Sequence, residues 1–423
     1  MRPDAAACST ASAMIALIVW RRTPTGDILR AGEIRVAEPD QSHGGRLRGE
    51  FRYDRVYLEH PQALALDPIH LPLTSVVYPA ERPRSGIHGV FEDSLPDLWG
   101  RGLLMRRYRL PRSRQTPAHL LMHLSQSGLG ALAYGIGETP PAPELAPSRD
   151  TEALIEAAER YDRNPAEVED AELIALFRAA SSPGGARPKL VIHHAGVSCM
   201  AKLGSSRDRV DMVRVEAACL TLARDAGLHV PRFDVAEFGR HAALLIERFD
   251  ISTGAGRYHT LSLQTLLGAD DWYQLGYPDL ADLLRQVSGR PENDLPALYR
   301  QLVFNAFIGN TDDHLKNFAL LHDGDAWRLT PAYDLTPDEP PRGEHVLHFG
   351  SAGHQPNAAA LAAMARNFGL SPKTGRRIRE QVAEAMVDWR DRFTRFGVGT
   401  HDLHCLAPSI EHRLKTCREI AST

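Results

Sequence analysis

Residues 139–147 read Thr139-Pro140-Pro141-Ala142-Pro143-Glu144-Leu145-Ala146-Pro147. A proline has no amide hydrogen and fixes its own φ, so such a run belongs neither inside a helix nor in a central strand and is expected to be extended. It reads as a connector, and the chain on either side of it has to find its own core. The 423 residues leave room for that, since compact units average about 150 residues. The expected organisation is a first unit over 1–137, the connector over 138–149, a second unit over 150–250 and a third over 251–423.

Ahead of the connector the pattern is short and strand-like. Met14-Ile15-Ala16-Leu17-Ile18-Val19, Gly32-Glu33-Ile34-Arg35-Val36 and Phe51-Arg52-Tyr53-Asp54-Arg55-Val56-Tyr57-Leu58 carry apolar and polar residues punctuated by Gly and Pro, which predicts an antiparallel sheet. Helical spacing is expected over 150–180, short strands after it, and a mostly helical chain beyond Leu261, including a stretch from 357 to 389. The predicted class is α+β. The apolar run at 14–19 is far shorter than the roughly 20 residues a membrane helix needs. The small residues Ala11-Ser12-Ala13 precede it, where a signal peptide would place them after, so a chain with no membrane partner is expected. Five cysteines without a CxxC pair fit free thiols in a reducing, cytoplasmic setting. A net charge of -4 offers no overall basic field, so any contact with nucleic acid would need a local patch or a second protein.

The chemistry concentrates in Phe304-Asn305-Ala306-Phe307-Ile308-Gly309-Asn310-Thr311-Asp312-Asp313-His314-Leu315-Lys316-Asn317-Phe318-Ala319-Leu320. Ionisable groups held between apolar flanks cannot all be solvated, which points to a bound cation or an anionic ligand. Asp312 and Asn317 stand at the interval found in protein-kinase catalytic loops, where the acid takes a hydroxyl proton and the amide holds magnesium. Downstream, Trp327-Arg328-Leu329-Thr330-Pro331-Ala332-Tyr333-Asp334 reads as a strand ending in a carboxylate that can share that metal. Upstream, the turn Ser181-Ser182-Pro183-Gly184-Gly185-Ala186-Arg187-Pro188-Lys189 offers backbone that can approach phosphates. Lys202 closes a mainly apolar strand, Glu216 lies on a helical run and can orient it, and residues 242–250 form an apolar strand with a charged exit suited to a nucleotide hinge. Phosphate loop, lysine, helix glutamate, hinge, Asp with Asn and metal Asp follow one another as they do in kinases.

These residues resemble the HipA family of bacterial toxin kinases. The resemblance rests on Thr311-Asp312-Asp313-His314-Leu315-Lys316-Asn317, on Pro331-Ala332-Tyr333-Asp334, on Ile246-Glu247-Arg248-Phe249-Asp250, on the loop at 182–189, and on Leu71-Pro72-Leu73 and Leu95-Pro96-Asp97-Leu98-Trp99-Gly100-Arg101. It implies a protein-kinase-like bilobal fold with a β-rich N-terminal subdomain and a helical C-terminal lobe. It also implies ATP and Mg2+ as cofactors and a protein serine or threonine as acceptor. Asp312 would be the proton acceptor, and Asn317 and Asp334 the metal ligands. Gly184, Gly185, Ala186, Arg187, Pro188, Lys189, Lys202, Glu247, Arg248, Phe249, His314, Lys316, Asn317, Tyr333 and Asp334 would line ATP. Ser182 matches a serine that the family autophosphorylates, with Ser181 beside it as the alternative. A HipB-like helix-turn-helix antitoxin would be the partner, with DNA reached only through it; the helix-turn-helix-like run at 361–371 also reads as an ordinary helix end. Two rival readings are a noncatalytic kinase-like scaffold that binds ATP or an antitoxin, and a metal hydrolase built on Asp312, Asp313 and His314. Neighbouring residues on a strand face opposite ways, which opposes the second.

Overall fold

A computed structural model describes residues 14–37, 47–80, 85–124, 129–141, 150–179, 187–254, 256–269, 274–341 and 343–418. Residues 142–149 of the Pro-rich connector and 180–186 of the glycine turn, with Ser181, Ser182, Gly184, Gly185 and Ala186, lie outside the described residues.

The first sheet contains β1 (Met14–Arg22), β2 (Ile28–Ala37), β3 (Arg48–Tyr53), β4 (Val77–Ala80) and β5 (Leu132–Gly135) in the order β4-β3-β2-β1-β5. Its pairings are antiparallel, with Leu17 opposite Ile34 and Ile34 opposite Phe51, so three buried apolar residues stack across neighbouring strands. The predicted strand at 51–58 stops at Tyr53. Asp54 accepts a hydrogen bond from the Val56 amide and starts a helical turn, Arg55–Leu58.

The second sheet has β6 (Lys189–His194), β7 (Val197–Leu203), β8 (Phe233–Phe238) and β9 (His241–Glu247) in the order β6-β7-β9-β8. Central β9 is covered on both faces, which accounts for its near-continuous apolar run. Ala243 and Leu245 pack with helices Thr151–Arg163 and Asp170–Ala179, while Leu244 and Ile246 join the cluster containing helix Met212–Asp225. On β7, Ala201 and Leu203 belong to the former face, so alternation turns Lys202 toward helix 212–225. Lys189 pairs with Lys202 across β6 and β7 and shares that face.

Beyond Leu261 the chain is less uniformly helical than its pattern suggests. β10 (His259–Ser262), β11 (Ala319–His322) and β12 (Trp327–Leu329) make a small antiparallel sheet, too short to register in hydrophobic periodicity. The predicted strand at 327–334 ends at Leu329, because Pro331 has no N–H to continue the ladder. Around this sheet pack helices Tyr277–Val287, Pro291–Ile308, Ala358–Asn367, Pro372–Ala385, Trp389–Arg395 and Thr400–Arg418. The helical stretch expected over 357–389 is broken at Gly369, whose φ is +69°, and resumes where Ser371 caps the next helix.

The N-terminal sheet module is docked on this lobe by polar bonds between distant segments. His259 Nε2 bonds the Leu66 carbonyl at 2.8 Å, His70 Nε2 the Leu266 carbonyl at 3.1 Å, and the Gly130 amide donates to Asp250 at 2.8 Å. Among the described residues no helix is long and apolar enough to cross a membrane, and Cys199, Cys219, Cys405 and Cys417 are free thiols.

Candidate active site

Lys202 reaches from β7 to two carboxylates. Its Nζ donates to Glu216 Oε1 at 2.6 Å and also to Asp334 Oδ1. Burial alone would strip the lysine of its proton, but Asp334 and Glu216 together raise its pKa above the usual value. Burial works against the Asp334 charge in the same way, and Lys189, Lys202 and His314 overcome it, holding that carboxyl well below the ordinary carboxylate range. Asp334 sits at φ +54°, and its carbonyl accepts the Asn310 side-chain amide at 3.0 Å, which fixes the turn that presents it.

The catalytic-loop candidate is irregular between the αL cap Gly309 and the 3-10 turn Leu315–Asn317. Asn317 Nδ2 donates to the Asp312 carbonyl at 2.9 Å, closing the five-residue interval into a ring and leaving the amide oxygen on the opposite side. Asp312 is half-buried, whereas Asp313 is completely buried and turned into the lobe, where Tyr277 and His345 bond its Oδ2 at 2.6 and 2.9 Å. The two neighbours diverge, and Asp313 has no oxygen to share with a metal beside Asp312.

Two cavities meet at this point. One, of about 480 Å³, has apolar walls from Met200, Ile246, Phe249, Leu261 and Ala319, with the Phe249 and Tyr333 rings stacked 6.0 Å apart. The other, of about 390 Å³, is polar and contains Asp312, Arg187, Glu339 and the turn carrying Ser205, Arg207 and Arg209. Lys189, Lys202, His314, Asn317 and Asp334 line both. Lys189 is buried, and its charge acts on both Asp97 and Asp334. Asn317 and Asp334 thus bring an amide and a carboxylate, both hard oxygen donors, to one junction, a set that suits magnesium carried with phosphates.

The sequence-predicted residues are distributed unevenly around these cavities. Lys316 and Tyr333 line the apolar one, and the Tyr333 hydroxyl donates to the Lys316 carbonyl at 2.9 Å. Arg187 lines the polar one and is paired with Asp208 at 2.8 Å. Pro188 is buried just ahead of β6 and lines neither. Of the expected hinge residues Glu247, Arg248 and Phe249, only Phe249 lines a cavity. Glu247 ends β9 away from both, and the Arg248 guanidinium is turned inward onto Asp250, with bonds of 3.0 and 2.6 Å. With its guanidinium taken up by Asp250, any Arg248 contact with a base falls to the backbone.

One wall was missed in the sequence. Glu92, Asp93, Leu95, Asp97 and Arg101 of the N-terminal module line the apolar cavity. Asp93 holds the Ser262 amide and hydroxyl, each at 2.9 Å, and so ties the module to β10. Asp97 caps helix Leu98–Arg107 through the Gly100 amide at 2.9 Å, and burial pushes its carboxyl up to about 6 against the pull of Lys189. The signal available was the polar interruption Pro96-Asp97 amid apolar residues, which marks a helix start as readily as a site.

Residues 30–135 match the family model described as the HipA N-terminal domain, and residues 181–390 match the HipA-like C-terminal domain. The chain belongs to the HipA-like family. Among curated relatives of this family member, Y4mE of Sinorhizobium fredii is 32% identical over 28% of the chain and 31% of its own length. Y4dM of the same organism is 26% identical over 55% of the chain and 58% of its own length. The serine/threonine-protein kinase toxin HipA of Shewanella oneidensis is 30% identical over 28% of the chain and 33% of its own length. The matches therefore span between about a third and somewhat over half of these relatives. In structure, HipA from the Shewanella oneidensis complex of HipA, HipB and operator DNA superposes with a TM-score of 0.66 at 17% identity, covering 96% of this chain and 99% of that one. The likeness establishes a HipA-like, kinase-like α+β fold.

Proposed function

We propose that this HipA-like chain is an ATP-dependent serine/threonine protein kinase in which Asp312 takes the proton of the acceptor hydroxyl. The carrying observation is the junction of the two cavities. The apolar one, with Phe249 and Tyr333, suits an adenine base. The polar one, with Asp312, suits an acceptor side chain, and the five residues common to both stand where a γ-phosphate would pass between them.

In the proposed reaction the acceptor oxygen bonds to the γ-phosphorus, the bond from that phosphorus to the β–γ bridging oxygen breaks, and ADP leaves with that electron pair. The hydroxyl proton goes to the Asp312 carboxylate. Lys189 and Lys202 meet the charge on the phosphate oxygens. Asn317 and Asp334 would hold magnesium, which when bound neutralises part of the same charge. The Asn317–Asp312 bond keeps the base and the metal amide in register. Autophosphorylation of Ser182 or Ser181, a HipB-like helix-turn-helix partner, contact with DNA only through that partner, and a cytoplasmic setting complete the proposal.

Incubating the purified chain with γ-labelled ATP and magnesium, then mapping phosphosites by mass spectrometry, tests it. Label on serine or threonine of the chain or of added bacterial proteins is expected. ATP binding without transfer to any protein would favour the noncatalytic scaffold instead.

A further inference from the structure

The buried residues behind the site form a chain of bonds that the proposed reaction does not use. Arg413, on the C-terminal helix Thr400–Arg418, approaches His345 Nε2 at 3.2 Å. Arginine can only donate, so this nitrogen accepts, and the imidazole carries its proton on Nδ1. That proton is donated to Asp313 Oδ2 at 2.9 Å. The same carboxylate receives the Tyr277 hydroxyl at 2.6 Å, while its other oxygen takes the amides of Val346 and Leu347 at 2.9 and 3.3 Å. His345 and Asp313 have no exposed surface. From Tyr277 the chain continues through Asn305, which donates to the tyrosine oxygen at 3.3 Å, to Asn310, which bonds Asn305 Oδ1 at 3.1 Å and the Asp334 carbonyl at 3.0 Å. The network thus starts at Arg413, passes through the residue next to Asp312, and ends on the main-chain carbonyl of Asp334. Gly309 makes room for it: at φ +80° it would place a Cβ 3.1 Å from Arg413 Cδ.

We infer that Arg413, acting through His345 and Asp313, is a positioning residue that holds the Asp312 and Asp334 carboxylates at their mutual spacing. The inference rests on the reading of those two carboxylates as the reacting pair. A fully satisfied buried network has one low-energy arrangement, so it fixes what hangs on its ends, and losing one donor loosens the rest. Arg413 lines neither cavity, so its loss should change turnover and leave ATP affinity nearly alone. The C-terminal helix would then be part of the site although it lies behind it.

The test compares Arg413→Met, His345→Leu and His345→Gln with the wild-type full chain. Glutamine can still donate to Asp313 and accept from Arg413; leucine can do neither. Amide hydrogen exchange over residues 310–317 is expected to quicken by about tenfold in Arg413→Met and His345→Leu, and to stay near wild type in His345→Gln. Transfer of labelled γ-phosphate should fall about tenfold or more in the first two, as misplacement at a reacting centre does, with calorimetric ATP affinity within about twofold. Unchanged exchange in folded Arg413→Met, or equal losses in His345→Gln and His345→Leu, would overturn the inference. A wild-type chain that transfers no phosphate would defeat the kinase reading, and the exchange experiment would still decide whether the network holds the loop.

Discussion

Lys202 joins two carboxylates at the centre of the site. It pairs with Asp334 and with the buried Glu216, and its removal would leave Glu216 without its ion-pair partner and Asp334 with only Lys189 and His314. Removing one partner of a buried pair costs about 3–5 kcal/mol, so Lys202→Met should lower the melting temperature as well as weaken ATP binding. The pair is insensitive to pH near neutrality. The depressed Asp334 contributes stability above its unfolded pKa of about 4 and loses it as the pH falls below that, while the raised Lys202 contributes below about 10.4 and loses it in stronger base. Asp334→Asn should leave a folded chain whose ATP affinity no longer responds to magnesium, measured by calorimetry with and without the metal. An unchanged magnesium response would remove Asp334 from the metal position.

At the scale of elements, the order of functional groups along the chain was legible because each depends on local chemistry. Lys202 stands next to last in an apolar strand, Glu216 follows on a helix, and Asp312 and Asn317 share one short loop. The strand at 327–334 was overextended because its alternation continues past the point where Pro331 ends pairing. The small sheet of β10, β11 and β12 was missed because each strand is four residues or fewer, less than a period-two pattern needs. Side-chain direction was the least legible property. Asp312 and Asp313 are chemically identical in sequence, and only the positions of Tyr277 and His345 decide which one turns inward. Arg248 reads as a hinge residue until Asp250 is seen to claim its guanidinium. Asp93 and Asp97 required the docking of a module from far upstream, which no local pattern encodes.

For the whole molecule, that docking has a pH signature. His259 is buried against Leu66, and burial holds its imidazole down to about 3, with Arg21 and His322 adding to the effect. The unfolded side chain titrates near 6.5, so between these values unfolding takes up a proton and stability falls as the pH falls. His259→Gln can keep a donor toward the Leu66 carbonyl without titrating. Its melting temperature should therefore fall less than that of wild type between pH 7 and about 4.5. Parallel curves for the two proteins would show that His259 does not set the acid sensitivity. The module also supplies one wall of the apolar cavity, so the two lobes and the N-terminal sheet work as a single nucleotide-binding unit in the proposed reaction.

The assignment of Asp312 as the base is the centre of this account, and Asp312→Asn tests it most directly. The substitution keeps size and leaves the main-chain carbonyl that Asn317 holds, while removing the basic oxygen. Calorimetry should find ATP bound with near wild-type affinity, and transfer of the labelled γ-phosphate should fall by about 10²–10⁴. Wild-type transfer by a folded, ATP-binding Asp312→Asn chain would contradict the account.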